Sequence, residues 1–75
     1  MPQLPILSGP ELIKILSKIG YHETRQRGSH IRLAAPGRKS VTIPNYKEID
    51  RSLLIKILRD TNLSAEEFLK LVGKK

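Results

Sequence analysis

One imidazole stands among three guanidinium groups in the run Arg25-Gln-Arg-Gly-Ser-His-Ile-Arg32. Histidine is the side chain that exchanges a proton near neutral pH, and arginine offers a planar fork of donors matched to phosphate oxygens. Placed together beside a Gly28-Ser29 turn, they suit proton transfer next to a bound anion. The chemistry this points to is that of a phosphodiester, above all RNA.

The charge distribution reinforces the anion half of that reading. No acidic residue occurs from Thr24 to Lys47, whereas Arg25, Arg27, Arg32, Arg38, Lys39 and Lys47 all do, so this stretch supplies six of the chain's net +7. Residues 1–23 balance to zero and residues 48–75 add only one. An excess confined to one region is the electrostatic footprint of a nucleic-acid binder. The plainer alternative is a solvated basic face without a partner.

With 75 residues, the chain is expected to be one domain, 1–75, in which a single core barely outweighs chain entropy. Its active surface must then be shallow. The absence of cysteine removes disulfides, thiolate metal sites and thiol nucleophiles, and fits a reducing cytoplasm. The carboxylates, Glu11, Glu23, Glu48, Asp50, Asp60, Glu66 and Glu67, are scattered, so neither a metal nor another cofactor is expected. No apolar run approaches the ~20 residues needed to cross a bilayer. The start, Met1-Pro2-Gln3-Leu4-Pro5, lacks the basic and apolar regions of a secretion signal. A cytoplasmic location without membrane contact is the expectation.

The elements that must position these groups follow from capping and periodicity. Residues 1–7 read as irregular. Ser8-Gly-Pro-Glu11 is a capping box with proline in the first turn, opening a helix whose Leu12, Ile15, Leu16 and Ile19 make one apolar stripe and which stops at Gly20. Tyr21–Gln26 reads as a strand, Arg27-Gly28-Ser29 as a turn, and His30–Ala34 as a second strand with His30 and Arg32 on one face and Ile31 and Leu33 on the other. Pro36-Gly37 turns into a third strand, Lys39–Ile43, with Val41 and Ile43 inward. Asp50 or a neighbour caps a helix carrying Leu53, Leu54, Ile57 and Leu58. Ser64-Ala-Glu-Glu67 is a second capping box before Phe68, Leu71 and Val72. The expected fold is α+β, in the order α-β-β-β-α-α, with a three-stranded antiparallel sheet covered by helices on one face and open on the other. Apart from its last helix, that is the order of a double-stranded RNA-binding domain, although Asp50-Arg-Ser-Leu53 replaces the lysine cluster such domains carry at the second helix.

Leu12-Ile-Lys-Ile-Leu16 with Gly20-Tyr21, Arg25-Gln-Arg-Gly-Ser-His30, Val41-Thr-Ile-Pro44, Ser52-Leu-Leu-Ile-Lys-Ile-Leu58 and Leu63-Ser64 with Glu67-Phe68 together resemble the HicA family of toxin–antitoxin toxins. The resemblance covers nearly the whole chain in order. It implies a double-stranded RNA-binding-like fold, mRNA interferase activity with His30 as the catalytic residue, and a HicB-type antitoxin covering the active surface. The chain departs from the pattern at Pro44-Asn45-Tyr46, where many members carry a second histidine.

A ribonuclease that uses the substrate's 2′-OH as nucleophile needs a base, an acid and positive charge at the phosphate, and no metal. In that scheme His30 is the general base or acid, and Arg25, Arg27 and Arg32 hold the scissile and flanking phosphates. Arg38 and Lys39 extend the RNA-binding surface, and Ser29 or the Gly28 backbone seats a phosphate oxygen. His22, Tyr46, Lys39 or a water remain open as the second proton-transfer group. Tyr21 and the helix stripes read as core, and Gly28 as a positive-φ position. The competing reading is a non-catalytic RNA-binding module on the same surface.

Overall fold

Two capping boxes fix where the first and third helices begin. Ser8 Oγ accepts from the Glu11 amide while Glu11 accepts from the Ser8 amide, and Ser64 and Glu67 repeat the exchange; each box satisfies two amides that no helical carbonyl reaches. The computed structural model describes residues 4–73. Its elements are α1 (Gly9–Ser17), β1 (His22–Arg27), β2 (His30–Ala34), β3 (Val41–Pro44), α2 (Arg51–Thr61) and α3 (Ala65–Val72). The strands form an antiparallel meander in the order β1-β2-β3. This is the α+β arrangement expected from the sequence, and it fits the double-stranded RNA-binding type of fold.

Boundaries differ where side chains overrule local pattern. Tyr21 is not in β1: it is buried in the core, and its phenol donates to the Lys39 carbonyl at 2.6 Å. Lys39 and Ser40 accordingly precede β3 instead of opening it. Asp50 occupies the N-cap of α2 in extended backbone but makes no side-chain cap bond. The same helix ends at Asn62 in the left-handed region, φ 61°, and the Arg38 guanidinium donates to the Thr61 carbonyl at 2.7 Å, satisfying an acceptor at the negative end of the helix dipole. Of the segment expected to be irregular, residues 1–3 lie outside the described residues, while Leu7 is buried and bridges Ile49.

The core lies between the sheet's inner face and the helices. Ile31, Leu33, Val41 and Ile43 point into it and meet Leu12, Leu16, Leu54 and Phe68, all buried. α1 and α2 pack on β3. β1 stands beyond this cover: all six of its residues are exposed, and it is joined to the domain through its ladder with β2.

Burial pushes the Tyr21 phenol above its ordinary value, Arg38 pulls the other way, and Asp60 adds to the rise. A folded-state value raised in this way means that the associated stability is fully present below about pH 10, the unfolded value, and is lost as pH rises through the folded one. Tyr21→Phe should lower stability by about 1 kcal/mol at neutral pH through the lost hydrogen bond. It should also flatten the alkaline decline. Chemical denaturation of both proteins from pH 7 to 11 checks this, and an unchanged decline in the variant would show that the phenol does not govern it.

Candidate active site

A two-residue loop sets the geometry. Gly28 has φ +60° and Ser29 is not in the left-handed region, which is the glycine-first pattern of a type II′ hairpin turn. That turn places Arg27 opposite His30 and Arg25 opposite Arg32. Across the other ladder, His30 faces Pro44 and Arg32 faces Thr42. Directly opposed residues of antiparallel strands share a face, as do residues two apart on one strand. Arg25, Arg27, His30, Arg32 and Thr42 therefore emerge together on the open side of the sheet, where they line a shallow concavity of about 310 Å³.

The ladder slips by one residue between Glu23 and Arg25, so Thr24 is the extra residue of a β-bulge. Bulges bend an edge strand and interrupt its pairing. Here the bulge lies just past the two arginines, so the register that the turn imposes on Arg25 and Arg27 does not extend to His22. His22 falls opposite Ala34, roughly 13 Å along β2 from His30 at ~3.3 Å per residue.

Short bonds hold the site from beneath. The Asn45 amide donates to the Ser29 carbonyl at 2.6 Å, and the Gly9 amide donates to the Tyr46 carbonyl at 2.8 Å. The loop after β3 is thus tied at one side to the hairpin tip and at the other to the start of α1. The Gln26 side-chain amide donates to the Gly28 carbonyl at 3.2 Å. Within the concavity, Arg32 Nη1 donates to Thr42 Oγ1 at 3.1 Å, which orients one guanidinium and leaves its remaining donors for a ligand. No carboxylate lines the concavity, so its field is uniformly positive toward an incoming phosphate.

The sequence-predicted residues divide into two groups. Arg25, Arg27, Arg32 and His30 come together, with Gly28 and Ser29 forming the turn beside them. Arg38 and Lys39 do not join them: they lie at the opposite end of the sheet, where Arg38 holds the Thr61 carbonyl and Lys39 pairs with Asp60 at 3.7 Å. Of the candidates for a second proton transfer, His22 and Lys39 are therefore remote from His30. Tyr46, half-exposed, follows the loop residue bonded to the hairpin tip. Thr42 escaped the sequence reading, although the alternation that sends Val41 and Ile43 inward sends Thr42 to the open face.

Among the described residues no cluster of three or more histidine, cysteine or acidic side chains is placed to hold a metal, and no helix is long and apolar enough to cross a membrane. Chemically, the concavity offers three guanidiniums to the phosphates of a bound strand, with an exposed imidazole among them. A family model described as the HicA toxin of bacterial toxin–antitoxin systems matches residues 9–63, a span that includes every residue of this site. Neither the curated proteins nor the solved structures contain a match to the chain.

Proposed function

The chain belongs to the HicA family of toxins from bacterial toxin–antitoxin pairs, and from that premise we propose that it is a metal-independent endoribonuclease that cleaves mRNA with His30. One observation carries the proposal: His30 shares a concavity with Arg25, Arg27 and Arg32 and with no carboxylate.

In the reaction, the 2′-hydroxyl adjoining the scissile phosphate loses its proton as its oxygen attacks phosphorus. The P–O5′ bond breaks, and the departing oxygen takes up a proton, leaving a 2′,3′-cyclic phosphate and a 5′-hydroxyl. His30 handles one of these two protons. A water, or Tyr46 on the adjoining loop, handles the other. The three arginines neutralise the charge that builds on the phosphoryl oxygens, with Arg32 held in place by Thr42 and the Gly28-Ser29 turn closing the site's edge. Arg38 and Lys39 come into play only for an RNA that runs the length of the sheet. A HicB-like antitoxin would inhibit by offering acidic groups to the same open face.

The direct test is incubation of a long single-stranded RNA with the protein in the presence of chelator, beside a 2′-deoxy strand of the same sequence. Cleavage of the RNA alone is expected. Cutting of the deoxy strand, or a requirement for added metal, would overturn the proposal.

A second expectation concerns salt. For a short single strand seated on three guanidiniums, log affinity should fall against log salt with a slope of roughly −2, at ~0.7 per phosphate contact. Arg25→Ala, Arg27→Ala and Arg32→Ala should each make the slope shallower by about 0.7. Measured by fluorescence anisotropy, a flat response would remove these arginines from RNA binding.

A further inference from the structure

On the helical side of the molecule lies a groove of different chemistry. Leu4, Ile55, Leu58 and Leu63 form its apolar floor, and Arg51 and Arg59 stand over it, enclosing about 400 Å³. Arg51, Ile55 and Arg59 are spaced four apart on α2 and so share one helix face. Ile55 is 50% exposed, a large apolar side chain left in solvent between two cations. Arg51 stands in the first turn of α2, which carries no acidic residue and where the helix dipole disfavours a cation. Neither Ile55 nor Arg51 serves the core, to which α2 contributes Leu54, Ile57 and Leu58.

We propose that this groove is a docking site for an acidic amphipathic helix of a protein partner, which inserts an apolar stripe over Ile55 and sets carboxylates against Arg51 and Arg59. The charge pattern selects the occupant. In a two-fold packing of α2 on a second copy, centred on Ile55, Arg51 of one chain would meet Arg59 of the other, and like charges repel. A partner with carboxylates on both flanks turns the same two positions into attractions and is steered toward them. Because α2 packs on the sheet's inner side, a helix seated in the groove leaves the arginine-lined face free. The proposal is independent of RNA cleavage.

The test uses the full chain, isotope-labelled, and a capped helical peptide of about 14 residues with leucines along one face and glutamates on both flanks. Its counterpart has lysine in place of every glutamate. Amide shifts should cluster on α2 and the start of α3, and the lysine peptide should bind roughly tenfold more weakly or not at all. Ile55→Asp should abolish binding, and the Arg51→Glu, Arg59→Glu double variant should reverse the preference in favour of lysine. All three positions are exposed, so the variants should melt with the wild type. Shifts confined to Arg25, Arg27 and Arg32 would mean that the peptide reads only the basic sheet face, and the proposal would fail. It would equally fail if neither peptide bound, or if the unliganded chain dimerised through α2.

Discussion

His30→Ala should lower the rate of RNA cleavage by about 10²–10⁴-fold, the range for removing a general acid or base, while RNA affinity and thermal stability stay near wild type. The separation of these readouts follows from position. His30 is exposed on the open face of β2, so its truncation leaves the core untouched and should shift stability by no more than about 0.5 kcal/mol. In the proposed site phosphate binding falls to Arg25, Arg27 and Arg32, which the substitution leaves in place. His30→Gln is the sharper comparison, because it keeps a polar side chain of similar reach but cannot take up and release a proton near neutrality. Both variants should be equally inactive. Wild-type cleavage by either would falsify the role given to His30, and binding without cleavage by all three proteins would leave an RNA-binding module.

The second large effect lies away from the chemistry. Gly9→Ala should destabilise the domain by roughly 2–3 kcal/mol, which for a chain of this size lowers the melting temperature by roughly 10–20 °C. Gly9 is buried at the start of α1, and a β-carbon there would collide with the Pro44 carbonyl oxygen and lie 3.1 Å from Asn45 Cα. Both neighbours are backbone and cannot rotate aside. Relief requires moving α1 away from the loop after β3, which would break the Gly9–Tyr46 bond and loosen the Asn45–Ser29 bond at the hairpin tip. Cleavage should therefore fall even at temperatures where the variant remains folded. Gly37→Ala is the control: its β-carbon meets nothing, and only its φ of +74° disfavours a side chain, at about 1 kcal/mol. Equal melting temperatures for the two variants would show that close approach at Gly9 carries no special cost.

The contrast between these two positions shows what a linear reading captures. His30 announces itself through residue types within one short run, and its alternation with the apolar Ile31 and Leu33 suffices to predict which face it occupies. The capping boxes at Ser8 and Ser64 are legible for the same reason: their partners are three residues away. Gly9 reads only as the second residue of a cap, because the contact that requires it is made by Pro44, on another element. Arg38 and Lys39 read as part of one basic stretch, yet the turn at Pro36-Gly37 carries them to the far end of the sheet and commits Arg38 to the end of α2. Charge counted along a chain does not record which end of a strand it decorates. The bulge at Thr24 was equally hidden, since a slip in pairing depends on two strands at once.

β1 gives no side chain to the interior and depends on a single neighbouring strand. Two of the three arginines proposed to meet RNA are on it, so the surface that would choose a substrate and the interior that sustains the fold are written in largely separate residues. Substitutions along His22–Arg27 can accumulate with little penalty in folding, leaving a lineage free to retune its contacts with RNA, or to escape one inhibitor and acquire another, without first rebuilding the scaffold.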